Sequence, residues 1–305
     1  MTGYYSEIRI YFKDDVKYIE KRYPLPFYSR DQIEDLRQRV LLQRNAFEEM
    51  HIPISELIDL EIIRKGKSFN LVATEKFEGL DFADVVDEQN FEMYLEKMLD
   101  DIYKPLLKSS SNHLLPAGID TVIRNYVYRS ELNEFCYVDF MPPKVFYKGH
   151  YTQEVPEITG PFYDIRLLTH NDRAGVIYTL YINLARKFPA KRKFILAKFE
   201  QFLSGINEVQ LSKHINESPF YRLDDTKKAA RIVTALNDWK GLNYLILREA
   251  ACFTAEVNKK FAGKLDDFFR LTHHETNPDS EEYGLLPKER FDKAKKIIIE
   301  NLLSP

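Results

Sequence analysis

The first strong pattern along the chain is a two-residue alternation. Glu7-Ile8-Arg9-Ile10-Tyr11-Phe12 alternates polar and apolar positions, Lys13-Asp14-Asp15 supplies turn chemistry, and 16–23 reads as the returning strand. Pro24 and Pro26 end it, because proline has no amide to give to a ladder. From Ser29 the period becomes that of a helix: Ser29 or Asp31 supplies the cap, and Ile33, Leu36, Val40, Leu41 and Phe47 form an apolar stripe that lasts to His51-Ile52-Pro53. Residues 57–63 and 68–75 then pair around Arg64-Lys65-Gly66-Lys67 as a second hairpin. The first 77 residues therefore predict a ββαββ lobe.

After Gly79 the pattern turns helical. Residues 90–108 keep one apolar face at Phe91, Tyr94, Leu95, Met98, Leu99 and Ile102. A short β-rich interlude follows, in which 122–128 and 134–140 flank a turn at 129–133 and stop at Met141-Pro142-Pro143. Beyond residue 167 nearly everything predicts helix, over 171–188, 190–204, 207–215, 225–237, 240–262, 263–272 and 287–303. The expected class is α+β in two lobes: a small antiparallel-sheet lobe over 1–77, and a mainly helical lobe over 78–305 that carries a hairpin at 118–141.

Composition removes several function classes. The 305 residues contain 11 glycines, and no two lie closer than eleven positions apart, so no G-x-G exists. That excludes the Walker A loop, the dinucleotide fingerprint and the G-x-S-x-G elbow. A net charge of -3 gives no global reason to expect nucleic acid as a partner. No run reaches the roughly 18 apolar residues of a membrane span. Residues 1–7 show neither the basic cap nor the apolar core of a signal peptide, and two cysteines are too few for a disulfide framework. A reducing, cytoplasmic setting is the default expectation.

The segment that carries chemistry is Gly118-Ile119-Asp120-Thr121-Val122-Ile123-Arg124-Asn125, followed fourteen residues later by Asp139. Phosphoryl transfer from ATP uses one carboxylate to take the proton of the acceptor hydroxyl, and an amide oxygen with a second carboxylate to hold magnesium. Asp120, Asn125 and Asp139 supply those groups in that order, and a loop followed by a tight hairpin would bring them together.

On these residues the chain resembles the protein-kinase-like superfamily, and within it the aminoglycoside-phosphotransferase and small-molecule kinase branch. The resemblance implies that Asp120 is the catalytic base and that Asn125 and Asp139 hold Mg2+. It implies that Lys21 is the strand lysine facing the phosphates of ATP or GTP, that helix 31–50 matches the following C-helix, and that Thr74-Glu75-Lys76-Phe77-Glu78-Gly79 is the hinge. There the Glu75 carbonyl and the Phe77 amide would meet the adenine. A small-molecule acceptor, with a cationic one favoured by helical-lobe acids, is the implied partner; the alternative is a catalytically weakened module that binds a nucleotide or a partner protein.

The match is incomplete. Gly118-Ile119-Asp120 stands where the family usually has a histidine two residues before the aspartate, and Asp139-Phe140-Met141 lacks the glycine of Asp-Phe-Gly. No glycine-rich loop precedes Lys21, no Ala-Pro-Glu segment follows Asp139, and Gln43 falls near the place of the C-helix glutamate. Other chemistry-bearing groups read as structural. His273-His274-Glu275 lacks the spacing of a zinc site. The basic run 187–198 and the acids Asp266, Asp267, Glu275, Asp279, Glu281 and Glu282 read as solvated surface, and Cys136, Tyr126, Tyr128 and Tyr137 as strand packing.

Overall fold

The computed structural model describes residues 7–23, 27–110, 112–148, 150–152, 167–216, 228–238, 242–272 and 285–303. The chain divides into two compact units, Met1–Glu157 and Ile158–Pro305, so the hairpin at 118–141 falls in the same unit as the sheet.

In the first unit, β1 (Glu7–Lys13) and β2 (Val16–Arg22) form the expected hairpin, with Asp14 and Asp15 at positive φ in the turn. Short polar side chains tolerate that region best after glycine. Helix α1 (Arg30–Glu49) starts at Ser29, whose hydroxyl accepts the Asp31 amide. Strands β3 (Leu57–Lys65) and β4 (Ser68–Lys76) follow, and the sheet order β1-β2-β4-β3 puts β4 between two partners. The buried stripe of α1 holds Ile33, Leu36, Val40 and Phe47 as expected, and it also contains Arg39, Gln43 and Arg44. Hydrophobic periodicity is blind to those three.

Gly79 has φ +152, and a Cβ there would collide with the Tyr128 carbonyl, so the chain passes close beneath the next sheet only because the residue is glycine. That second sheet is β5 (Leu80–Asp81), β6 (Tyr126–Arg129) and β7 (Glu134–Tyr137), in this order. The strands are shorter than the alternation predicts, because Ile123–Asn125 forms a 3-10 turn before β6. Between β5 and β6 lie α2 (Phe82–Val85), α3 (Phe91–Met98), a wide π turn over Leu99–Tyr103, and α4 (Lys104–Lys108). These last three form one nearly continuous helical run, and Asp101 anchors the hairpin on it by accepting the Phe135 amide at 2.8 Å. A short ladder of β8 (Val145–Tyr147) and β9 (His150–Thr152) closes the unit.

The second unit is helical: α5 (Arg173–Lys187), α6 (Arg192–Gly205), α7 (Val209–Asn216), α8 (Lys228–Asp238), α9 (Asn243–Val257), α10 (Lys259–Ala262), α11 (Leu265–Thr272) and α12 (Lys288–Leu303). The single helix expected over 240–262 breaks at Asn258, whose backbone is extended and whose side chain caps α10 by accepting the Lys260 and Phe261 amides. Among the described residues no helix is long and apolar enough to cross a membrane. Asp266 and Asp267 sit exposed in the first turn of α11, a favourable place for negative charge. The segments 153–166 and 273–284, with His273, His274, Glu275, Asp279, Glu281 and Glu282, lie outside the described residues.

Asp172 caps α5 by accepting the Gly175 amide at 2.6 Å, and burial pushes its carboxyl up to about 7, against the pull of that amide and its neighbour. The folded chain thus binds this proton more tightly than the unfolded chain does. The resulting stability is full below about pH 4, the unfolded value, and is lost as pH rises through about 7. Asp172→Asn keeps a good cap and removes the titration. Calorimetry at pH 5 and pH 8 should show a smaller fall in melting temperature for the variant than for the wild type; equal falls would place the ionisation elsewhere.

Candidate functional site

The register of β2 on β4 determines what Lys21 meets. Lys21 lies opposite Ala73 and diagonally from Glu75, so both long side chains leave the same face of the sheet. Lys21 Nζ donates to Glu75 Oε2 at 2.7 Å and also to the Val138 carbonyl. The other carboxylate oxygen, Glu75 Oε1, takes Arg44 Nη1 at 3.3 Å from α1, while Ser55 Oγ donates to Oε2 at 2.8 Å. Arg44 further donates to the Ser55 carbonyl and lies over the Phe140 ring. The Glu75 side chain is only 4% exposed. A carboxylate this buried is tenable because two cations and a hydroxyl surround it. Burial pulls the Arg44 guanidinium down from its ordinary value, and Glu75 pushes it back up.

The hairpin is docked on this cluster through backbone. The Tyr137 amide donates to the Pro53 carbonyl at 2.9 Å, and the Ser55 amide donates to the Tyr137 carbonyl at 3.1 Å. Phe47, Tyr137 and Phe140 pack as a ring cluster beneath it, with centroids 5.3–5.6 Å apart. This places Asp139 one residue beyond the carbonyl that Lys21 grips. Asn125 then bridges the two acidic residues: its Nδ2 faces the Asp120 carbonyl at 3.4 Å and Asp139 Oδ2 at 3.3 Å.

Tyrosines hold the backbone of the Asp120 loop. Tyr137 OH accepts the Asp120 amide at 3.0 Å, Tyr126 OH donates to the Asp120 carbonyl at 3.1 Å, and Tyr103 OH pairs with Tyr126 OH. Burial pushes all three phenols up, so they stay neutral and clamp the backbone of Asp120. Tyr126 and Tyr137, expected to be strand packing, therefore pack with a polar task. Cys136 is packing alone, its thiol pushed up to about 12 by burial.

Lys144 belongs to the site although no sequence signal marked it. Its Nζ approaches Asp139 Oδ2 at 3.5 Å and donates to the Pro142 carbonyl at 3.1 Å, in a side chain 2% exposed. Gln43, fully buried on α1, fixes it: Oε1 accepts the Lys144 amide at 2.9 Å and Nε2 donates to the Gly118 carbonyl at 2.8 Å. Burial pushes the Asp139 carboxyl up, Lys144 pulls it down, Asp120 raises it again and Lys21 lowers it.

The structure brings Asp120, Asn125 and Asp139, grouped by their spacing, together with Lys21, which the resemblance alone implied. Two assignments change. The Phe77 amide donates to the Lys17 carbonyl at 3.0 Å, and the Tyr23 amide to the Leu71 carbonyl at 2.9 Å, so Ile19 and Glu75 fall on the same hydrogen-bonded register. The Phe77 amide is therefore spent within the sheet and not left for adenine; Phe77 instead carries the Lys17 ammonium 3.6 Å above its ring. Thr74 points to the opposite face from Lys21 and Glu75, opposite Glu20. The second change concerns metal. Magnesium takes a near-octahedral set of oxygens at about 2.0–2.1 Å, whereas the groups facing Asp139 Oδ2 are the Asn125 amide nitrogen and the Lys144 ammonium. Both are donors. Among the described residues no three His, Cys, Asp or Glu side chains converge for a metal. As placed, the Asp139 Oδ2 atom meets two donors and not the oxygen set of a divalent ion.

No protein-family model matches the chain, and no curated protein matches it. Among solved structures it is similar to a MAP kinase from Leishmania major, with 10% sequence identity and a TM-score of 0.35 over 99% of this chain and 92% of that one. An overlap this loose fixes neither activity nor substrate.

Glu75→Gln should be the most damaging single change in the sheet, because it leaves Lys21 and Arg44 buried without their counter-charge, at a cost of about 3–5 kcal/mol. Ser55→Ala removes one hydrogen bond and should cost only about 1 kcal/mol. Urea unfolding checks the ranking, and equal effects would show that Glu75 is not the hub.

Proposed function

We propose that the first unit is a kinase-like site and that the chain is an ATP-dependent phosphotransferase acting on a hydroxyl of a small molecule. The observation that carries the reading is the convergence of Lys21, Asp120, Asn125 and Asp139, drawn from separate parts of the sequence, around one clamped loop and its hairpin. An ammonium has three N–H donors. Glu75 and the Val138 carbonyl take two from Lys21, and the third meets a phosphate oxygen of ATP or GTP. Asp120, held by the two tyrosines, orients the acceptor hydroxyl and receives its proton. The acceptor oxygen then bonds to the γ-phosphorus, the bond to the β-γ bridging oxygen breaks, and the nucleoside diphosphate leaves. The absence of an Ala-Pro-Glu segment after Asp139 favours a small acceptor over a protein.

A second reading, a nucleotide-binding module without turnover, is favoured by Lys144 at Asp139 and by the spent hinge amide of Phe77. Turnover decides between them. Wild-type protein should hydrolyse ATP slowly without an acceptor, and Asp120→Asn should lower that rate by at least about 100-fold, the lower range for a positioned acid-base group. ATP bound with no turnover by the wild type would select the second reading, and equal rates in both proteins would assign the chemistry away from Asp120.

A further inference from the structure

We infer that Lys144 is a built-in counter-ion that stands where a divalent metal would otherwise neutralise Asp139, and that this cleft binds nucleotide phosphate without a metal. The inference rests on the nucleotide reading above and names how that site manages its charge.

Three observations carry it. First, Asp139 already has a cation of its own: Lys144 Nζ lies 3.5 Å from its Oδ2, while Lys21 and Arg44 are both paired with Glu75. A divalent ion at the same carboxylate would stand beside an ammonium that already supplies positive charge there. Second, Lys144 is not a surface side chain that can swing away. Its amide is held by Gln43, its carbonyl takes the Gly118 amide, and its ammonium is bonded to the Pro142 carbonyl. A metal at Asp139 would strip a buried ammonium of its carboxylate partner, an arrangement far costlier than the pair. Third, the remaining neighbour of that carboxylate, Asn125, presents nitrogen, and turning its amide over to offer oxygen would give up the bonds to both Asp120 and Asp139.

The exposures fit the same division of labour. Lys144 is 2% exposed and so neutralises Asp139 from within, while the Asp139 side chain keeps 26% of its surface open. The ammonium therefore tunes the charge of the site without being its anion-contacting group, a part left to Lys21.

The test is calorimetric titration of ATP into the whole protein in EDTA and in millimolar magnesium, alongside Lys144→Met. Wild-type affinity should agree between the two buffers within about threefold, and Lys144→Met should bind at least about tenfold more tightly with magnesium than without, because the variant frees a carboxylate for the ion. Mn2+ alone, followed by electron paramagnetic resonance, should bind the variant and not the wild type. Magnesium tightening wild-type binding by tenfold or more would overturn the inference and leave the nucleotide reading standing. Failure to bind ATP in either buffer would overturn both. A folded Lys144→Met that stays indifferent to magnesium would overturn the role of Lys144, and the wild-type comparison decides the metal question even if the variant does not fold.

Discussion

Burying a carboxylate in the middle of a sheet is costly unless cations come with it, and in this protein that requirement falls on Glu75. To satisfy it, β2 must bring Lys21, α1 must bring Arg44, and the segment after α1 must bring Ser55. Three stretches of chain are thereby fixed against β4. The same Lys21 reaches the Val138 carbonyl, so the hairpin carrying Asp139 is registered by the charge that the sheet needs. The acid partner of Lys21 does not come from the helix. The sheet supplies it, and the helix contributes a second cation, Arg44, and a neutral linker, Gln43.

That substitution explains the character of the site. With Gln43 rather than a carboxylate on α1, the helix is free to bond both the Gly118 carbonyl and the Lys144 amide, joining the loop before Asp120 to the segment after Asp139. Tyr126 and Tyr137 hold the Asp120 backbone at its carbonyl and its amide. Tyrosine hydroxyls and the Gln43 amide thus hold the loop and the hairpin of the site. Beside Asp139 the cation is the buried Lys144 ammonium.

Much of the fold was legible because it follows period. The two hairpins, α1 with its Ser29 cap and the helices beyond residue 167 rest on alternation, stripes and turn residues that act locally. The Asp120, Asn125 and Asp139 grouping was legible because a loop and a hairpin close it within twenty residues. Glu75 was read through the resemblance as a backbone contact of a hinge, and only the pairing of β4 on both sides makes its side chain interior. Lys144 was invisible for a similar reason: its partners, Gln43 and Asp139, lie 101 and 5 residues away, and nothing in its own neighbourhood marks it as buried. Arg39, Gln43 and Arg44 sit on the inner stripe of α1, where a hydrophobicity pattern registers them as gaps.

The central claim is that this cluster of charges receives the phosphates of a nucleotide. A crystal structure of the protein with a non-hydrolysable ATP analogue tests it most directly. The account predicts the phosphate chain against the Lys21 ammonium, with the terminal phosphate toward Asp120 and the Lys21–Glu75 pair intact. An analogue bound away from Lys21, or seated there only after Lys21 has left Glu75, would contradict it.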